Sequence, residues 1–200
     1  MIKPTRRITR GFGLLEIFLS SQRAKKARRL LLLKSAHSLL DIGCGFTPAF
    51  LLSVACPCKV GIDRHPWQGL DADMRHSLRL VRSDAGIGLP FGSSTFDRVT
   101  ALAIVEHLVM TKAQSMTAEV YRVLRPGGVF VLTTPTRWSR PILETLARFY
   151  FVSPEEVGEH ATYFSQESLL NMLTGAGFDR QRVRVGTFEA GLNLWAQAVK

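Results

Sequence analysis

The sequence predicts an α/β domain built on a mostly parallel β-sheet with helices on both faces. From residue 38 onward, short apolar runs alternate with helical patterns, the arrangement of a doubly wound sheet. A glycine turn over residues 41–45, "DIGCG", follows the first apolar run, and such turns let a ligand approach the backbone between a strand and a helix. With 200 residues, 46% of them apolar, the chain is long enough for one domain with a substantial core.

Seven apolar runs have the length and composition of strands, and helices are expected between them. The predicted strands are 38–42, 59–63, 78–83, 96–101, 128–134, 181–186 and 192–199. Capping patterns mark three of the helices. They are a helix over 111–124 opened by Thr111 and Gln114 and stopped at Pro126, a helix beginning at "SPEE" over 153–156, and a helix capped by Ser165 and ended by Gly175 and Gly177.

The positive charge is concentrated near the start of the sequence. Of the formal net charge of +10, residues 1–34 contribute ten Lys and Arg against one acid, Glu16, whereas residues 35–200 hold sixteen basic and fifteen acidic residues. We therefore predict a basic amphipathic helical segment over 1–34 and a nearly neutral domain over 35–200. The apolar positions at helical spacing are Leu14, Ile17, Phe18, Ala24, Ala27 and Leu31, and of these Leu14, Ile17, Phe18 and Leu31 are expected to pack on the domain.

The cationic face of this segment has three interpretations. It could lie on an anionic membrane, contact nucleic acid, or remain in water. Nucleic acid is disfavoured because no aromatic residues are interleaved with the basic run. The sequence thus allows a peripheral membrane or other anionic partner.

Cysteine usage and hydropathy bound the cellular setting. The odd number of cysteines, Cys44, Cys56 and Cys58, favours reduced thiols and a cytoplasmic protein. Cys56 and Cys58 are too close in sequence for the usual zinc-binding pair, and no second pair or His lies near, so no metal site is predicted. No apolar stretch reaches the roughly 18 residues that a membrane span needs.

The residues of the glycine turn exclude two common nucleotide sites. A phosphate-binding loop needs a Lys after its second glycine, and none follows Gly43. The dinucleotide fingerprint needs a third glycine at position 48, where Pro48 has no N–H to offer a pyrophosphate. The residues of the turn therefore argue against NAD as the ligand.

Acidic residues stand at the ends of the first three predicted strands: Asp41, Asp63 and Asp84. In an open parallel sheet, ligands bind beyond the carboxyl ends of the strands. A carboxylate after the second strand suits two ribose hydroxyls, and one after the third suits an exocyclic adenine amine. The spacing indicates a nucleotide-like ligand.

Five blocks of sequence, in this order, resemble the class I S-adenosylmethionine-dependent methyltransferases, and in particular the small type 11 branch. The blocks are "LLDIGCG", "GID", "SDAGIGLPFGSSTFDRVTALAIVEHL", "EVYRVLRPGGVFVLTTP" and "GEHATYFSQESLLNMLTGAGF", within residues 36–185. The resemblance implies a Rossmann-like doubly wound sheet of seven strands, mostly parallel with an antiparallel last strand. It also implies an enzyme that binds one S-adenosyl-L-methionine and transfers its methyl group to a nucleophile.

The resemblance also implies the cofactor site. Gly43 and Gly45 would approach the amino-acid part of the cofactor, Asp41 would organise the turn, Asp63 would bind the ribose and Asp84 would face the adenine. Their neighbours in the motifs complete the implied site: Cys44, Arg64, Ala85, Ala101 and Leu102. The sequence departs from the family pattern at Thr47, where a third alternating glycine often occurs.

Methyl transfer requires alignment and exclusion of water, and it needs a base only when the nucleophile must lose a proton. His160 is the preferred candidate base and His107 the second, although either could contact the acceptor or be structural. The aromatic-rich stretch 136–164 is predicted to be a substrate lid, with a helix packed on the sheet as the alternative.

The acceptor is predicted from an absence and from the lid. The loop "ALAIVEHL" lacks the Asn/Asp-Pro-Pro-Tyr/Phe pattern of base N-methyltransferases. We therefore expect a small-molecule, lipid- or glycan-like acceptor, methylated at a hydroxyl. Two alternatives stay open: a nucleic-acid methyltransferase guided by the basic segment, and a cofactor-binding protein without catalysis.

Overall fold

A computed structural model describes residues 16–67, 70–139, 141, 145 and 161–200. Its centre is a seven-stranded sheet of order β3-β2-β1-β4-β5-β7-β6. β7 pairs antiparallel with both β5 and β6, and the other neighbouring strands pair in parallel. The predicted doubly wound sheet with an antiparallel last strand is confirmed. The strands are β1 (Ser38–Ile42), β2 (Cys58–Asp63), β3 (Arg79–Arg82), β4 (Phe96–Leu102), β5 (Leu124–Pro135), β6 (Val183–Phe188) and β7 (Asn193–Val199).

Helices cover both faces of the sheet. They are α1 (Glu16–Leu31), α2 (Ala49–Leu52), α3 (Ala72–Ser77), α4 (Met110–Val123) and α5 (Gln166–Gly175). Side chains alternate along β4 and β5, so Val99 and Phe130 enter the core beneath α4 and α5, while Val129 and Val131 enter the core beneath α1 and α2. Because both faces are buried, these central strands read as continuous apolar runs in the sequence.

Two of the predicted helix caps can be compared with the structure. Ser165 caps α5 as predicted, accepting from the amide of Ser168, whose hydroxyl accepts from the amide of Ser165 in return. The predicted capping box at Thr111 and Gln114 is wrong. α4 begins at Met110 with no side-chain cap, so Thr111 is already inside the first turn. The helix predicted to begin at 153–156 lies outside the described residues.

α1 packs along the sheet over β4, β5 and β7. Ala27 and Leu31 are fully buried, as their helical spacing predicts. The guanidinium of Arg98 donates to the carbonyl of Leu31 at 2.6 Å, and the side chain of Gln197 donates to the carbonyl of Leu30 at 2.6 Å. The last carbonyls of α1 thus receive donors from the sheet. None of the helices in the described part of the chain is long and apolar enough to span a bilayer.

One apolar position of the basic segment was predicted wrongly. Phe18 is 56% exposed, because it lies on the side of α1 that faces away from the sheet. Leu14 lies outside the described residues, and the side chain of Ile17 is not among those described.

Candidate functional site

The candidate site lies at the carboxyl edge of the sheet, where the first four strands end side by side. Ile42 of β1 pairs with Ile62 of β2 and with Ala101 of β4. The amide of Ser83 donates to the carbonyl of Asp63 at 3.0 Å, which holds the end of β3 against β2. The predicted site residues that follow these strands are therefore brought to one edge.

The glycine turn after β1 is fixed by the protein itself. Gly43 and Gly45 have φ of +69° and +76°, a conformation that costs a side chain about 1–2 kcal/mol. The amides of Gly43 and Cys44 both donate to the carbonyl of Ile62, at 2.9 and 3.1 Å. A Cβ at Gly43 would lie 2.7 Å from Cδ1 of Ile104. Gly43 is thus required by a contact inside the protein, in addition to the ligand approach for which it was predicted.

Asp63 joins the glycine turn to the end of β2. Its Oδ2 accepts from the amide of Gly45 and its Oδ1 from the amide of His65, both at 2.9 Å. Each carboxylate oxygen can accept a second hydrogen bond, so the group can still receive ligand hydroxyls. The same side chain that is predicted to bind the ribose therefore also positions the turn beside it.

Asp41 lies beneath the turn, with 3% of its surface exposed. The hydroxyl of Thr100 donates to its Oδ1 at 2.6 Å. Burial, with the nearby charge of Asp63, raises the pKa of Asp41 to about 7, although the hydrogen bond from Thr100 opposes the shift. Since Asp41 is almost inaccessible, a ligand at this edge cannot reach its carboxyl group, and its predicted role in organising the turn stays a prediction.

Asp84 closes a tight turn after β3. Its Oδ1 accepts from the amide of Gly86 at 2.8 Å, and its carbonyl accepts from the amide of Ile87 at 3.0 Å. Ala85, half-buried, packs against the core. This geometry keeps the carboxylate of Asp84 at the carboxyl edge, where the adenine contact is predicted.

The end of β4 closes the site on the other side of β1. The side chain of Ala101 is completely buried, and Leu102 is half-buried. Ala103 has φ +55° and donates its amide to the carbonyl of Thr133 at 2.9 Å. A non-glycine residue in this conformation is uncommon and is often found at functional sites. The turn at Ala103 brings Ile104 against the glycine turn.

The side chains of two predicted cofactor-binding residues, Cys44 and Arg64, lie in very different surroundings. The thiol of Cys44 is buried and accepts from the indole N–H of Trp67 at 3.4 Å, so only the backbone of Cys44 is available to a ligand. Burial raises the pKa of the Cys44 thiol, which therefore stays protonated. Arg64 is exposed, and its carbonyl accepts from the guanidinium of Arg82 at 3.1 Å.

The predicted bases lie on different segments. His107 is half-buried in the 3-10 turn Val105–His107, directly after β4. His160, the preferred candidate, lies outside the described residues. Sequence reasoning missed Glu106, a carboxylic acid with 1% exposure whose carbonyl accepts from the amides of Ala161 and Thr162 at 2.8 and 3.1 Å. An acid within the apolar run "ALAIVEHL" was the observation that could have identified it.

Two buried hydroxyls at the end of β5 test whether the site fits S-adenosylmethionine. Thr133 and Thr134 are fully buried, and within the described ranges their hydroxyls have no hydrogen-bond partner. Buried hydroxyls without partners are uncommon in folded proteins and often mark a place for water or a ligand. Because side chains alternate along β5, the two hydroxyls point to opposite faces of the sheet, and at most one of them can serve a ligand at this edge. The carboxylates of Asp63 and Asp84 suit ribose hydroxyls and an adenine amine, so the acceptors at the edge fit this cofactor.

Comparisons with known proteins agree with the fold and the motifs. Residues 40–132 match the family model of a methyltransferase domain. A ubiquinone/menaquinone biosynthesis C-methyltransferase of Desulfotalea psychrophila is 32% identical over 106 residues, covering 45% of this chain and 42% of that protein. A sterol 24-C-methyltransferase of Schizosaccharomyces pombe is 29% identical over 107 residues, covering 49% and 28%. The chain thus spans less than half the length of these curated relatives.

A solved structure extends the agreement to nearly the whole fold. The S-adenosylmethionine-dependent methyltransferase of Archaeoglobus fulgidus superposes with a TM-score of 0.65 at 19% identity, over 92% of this chain and 94% of that one. At this identity the match concerns the fold, and the family-model match adds the motifs at the site. The family-model match over residues 40–132, the order of the motifs and the topology of the sheet agree with a class I S-adenosylmethionine-dependent methyltransferase.

Proposed function

We propose that this protein transfers the methyl group of S-adenosyl-L-methionine to a hydroxyl of a small, lipid- or glycan-like acceptor. The observation that carries the proposal is the glycine turn, which Asp63 ties to β2 at the edge where three strand-end carboxylates meet. Acids at three neighbouring strand ends beside a glycine turn form the arrangement that suits a nucleotide-like ligand at the carboxyl edge of a parallel sheet.

The residues of this chain bind, orient and exclude water. The bound cofactor supplies an electrophilic methyl group on a sulfonium. Asp63 and Asp84 offer acceptors to its ribose and adenine, while Gly43 and Gly45 allow backbone approach. Ile104, packed on Gly43, places apolar surface beside the turn. An apolar wall keeps water away from the reacting groups, and holding the acceptor in line supplies most of the acceleration expected.

A hydroxyl acceptor must lose its proton as it attacks, which requires a base within hydrogen-bond reach. His160 is our first choice because the stretch 136–164 is our candidate lid, and His107 is the second. His160→Ala is expected to lower the rate at saturating cofactor by roughly 10²–10⁴-fold while leaving cofactor affinity nearly unchanged. His160→Gln separates the roles, since it can hold a substrate but cannot accept a proton usefully. A largely restored rate in the Gln variant would assign proton removal to another group.

Methyl transfer to carbon is the second candidate, and the names of the relatives favour it. Both curated relatives described above are C-methyltransferases, of a quinone and of a sterol. Names that refer to quinone biosynthesis and to sterols favour a lipid-like acceptor, and both names specify transfer to carbon rather than to oxygen. The two candidates differ in the product, because an O-methyl and a C-methyl group have well-separated ¹³C chemical shifts.

The test begins with the ligand and ends with the product. Mass spectrometry of the purified protein is expected to find S-adenosylmethionine or its demethylated product. A cell extract is then incubated with methyl-¹³C cofactor, and the labelled product is isolated from the lipid and aqueous fractions. The Asp63→Ala variant serves as the control that should lose labelling. Cofactor binding without any labelled product in either fraction would support the binding-protein alternative instead.

A further inference from the structure

Large apolar side chains are exposed around the candidate site. Ile87 is 84% exposed after β3, Trp138 is 86% exposed after β5, and Val109 and Met110 are 52% and 36% exposed after β4. Phe18, near the start of α1, is 56% exposed. We call these five residues the apolar rim. Among the described residues, the remaining large apolar side chain of comparable exposure is Leu32, at the other end of α1.

The loops that carry the rim are joined to one another. A Cβ at Gly86, next to Ile87, would lie 3.0 Å from Cδ of Lys112 in the first turn of α4. The hydroxyl of Thr162 donates to the carbonyl of Leu108 at 2.8 Å, which ties the start of α4 to the chain before α5. Thr136 then pairs with Phe164 in an isolated bridge. The loops that carry Ile87, Val109, Met110 and Trp138 are therefore neighbours along the carboxyl edge of the sheet.

The start of α1 extends the same surface. α1 runs in the direction of β7, since Lys26 lies 4.5 Å from the ring of Trp195 and Leu30 is bonded to Gln197 further along that strand. β7 begins at Asn193, opposite Pro135 at the carboxyl end of β5. The helical residues before Lys26 therefore project toward and beyond this edge, and Phe18 is among them.

Cations accompany the apolar rim. Lys112 is exposed beside the loop of Ile87, and Arg137 is exposed next to Trp138. Lys25, exposed on α1, follows Phe18 by two helical turns. Apolar side chains with flanking Lys and Arg, and a tryptophan among them, are typical of surfaces that insert shallowly into a bilayer interface while their cations meet anionic headgroups.

We propose that the apolar rim docks on a lipid bilayer that contains anionic lipid, so that the acceptor enters the site directly from the bilayer. This deepens the proposed function, on which it rests, by making the acceptor a bilayer-embedded molecule. A bilayer suits the rim better than a nucleic acid, because its most exposed members are apolar and come from separate loops. A folded protein partner would instead be expected to meet one continuous flat apolar patch.

The first experiment measures co-sedimentation of the full chain with vesicles of phosphatidylcholine, with and without phosphatidylglycerol. Binding is expected to be strong only to the anionic vesicles. The double variant Ile87→Ser, Trp138→Ser should lower the partition coefficient by about tenfold or more, because two large apolar side chains no longer enter the bilayer interface. Leu32→Asn is the matched control, an exposed apolar residue at the opposite edge, and should bind like the wild type.

The second experiment reverses charges. Lys112→Glu with Arg137→Glu should lower the partition coefficient on anionic vesicles by about tenfold or more, since two cations that attract anionic headgroups become repelling anions. Arg182→Glu with Arg184→Glu makes the same change in net charge on exposed residues at the amino end of β6, and should have little effect. Equal losses in both double variants would show a general charge effect and overturn the docking surface.

Three further outcomes also overturn the inference: no binding of the wild type to anionic vesicles, an equal loss in Leu32→Asn, or a rim that mediates self-association in light scattering. Calorimetry with S-adenosylmethionine separates this inference from the proposed function. A protein that binds vesicles through the rim but binds no cofactor would refute the proposed function alone. One that binds cofactor and methylates a water-soluble acceptor without binding vesicles would refute the docking surface alone.

Discussion

Replacing Asp41 with Asn is expected to make the protein more stable above neutral pH relative to the wild type. Burial raises the pKa of Asp41 from its ordinary value of 3.8 to about 7, so the native state retains a proton that the unfolded chain has released. Between these pH values the native state binds more protons, and stability therefore falls as pH rises. A shift of this size corresponds to about 4 kcal/mol, at about 1.4 kcal/mol per pKa unit. Asn keeps the shape and an acceptor for Thr100 without the ionisation.

The assay is urea unfolding of both proteins at a series of pH values from about 4 to 8. The difference in the free energy of unfolding, Asn variant minus wild type, should grow steadily across this range and level off above pH 7. Asp97→Asn is the control of opposite sign. Burial raises the pKa of Asp97, but hydrogen bonds from Ser38 and Arg125 outweigh it and bring this pKa down to about 2. The ionised carboxylate of Asp97 therefore stabilises the fold above pH 4, and this stabilisation is lost as the pH falls toward 2. Parallel curves for wild type and Asp41→Asn would refute the reasoning, because they would show an Asp41 that titrates as it does in the unfolded chain.

Three further predictions concern the turn and α1. Asp63→Ala should weaken S-adenosylmethionine binding in calorimetry by about 1–3 kcal/mol, because the ribose hydroxyls lose their acceptor. It should also speed hydrogen exchange of the Gly45 amide, which donates to Asp63. Unchanged cofactor affinity would refute the prediction that Asp63 binds the ribose. Gly43→Ala should lower the free energy of unfolding, measured in urea, by about 1–2 kcal/mol from backbone strain alone. The new Cβ would also lie 2.7 Å from Cδ1 of Ile104, and adding Ile104→Ala should remove the cost of that contact. A double variant no more stable than Gly43→Ala would show that the contact is unimportant. Arg98→Met should lower stability by about 1.5–3 kcal/mol and make α1 more sensitive to limited proteolysis, because the carbonyl of Leu31 loses its charged donor; equal protease resistance would count against that anchor.

The sheet could be predicted because burial on both faces leaves a simple pattern in the sequence. β4 and β5 lie at its centre, and their apolar runs stand out without any knowledge of their neighbours. The cap of α5 was predictable for a similar reason, since Ser165 and Ser168 bond to each other within one turn. Both the central strands and this cap can therefore be recognised from a few consecutive residues of the sequence.

The features that were missed depend on contacts between distant parts of the chain. Asp63 bonds to Gly45 only because β1 and β2 end in register, so its second role cannot be read from either motif. α4 follows the 3-10 turn after β4 and has Val109 at its N-cap, so Thr111 lies two residues too late to cap the helix. Phe18 lies on the side of α1 that faces away from the sheet, and which side of the helix is covered is decided only by its packing on distant strands.

The position of β7 constrains the order in which the sheet can assemble. β6 touches the rest of the sheet through β7, which pairs with β5 on its other side. β5 must therefore keep an open edge while the long stretch between it and β6 is organised, and β6 can join only together with β7 as a hairpin. Because this closure joins segments far apart in sequence, it carries a larger loop-closure entropy cost than pairing between neighbouring segments. Without β7, β5 would present an unpaired apolar strand edge, the kind of edge on which other chains can pair and aggregate.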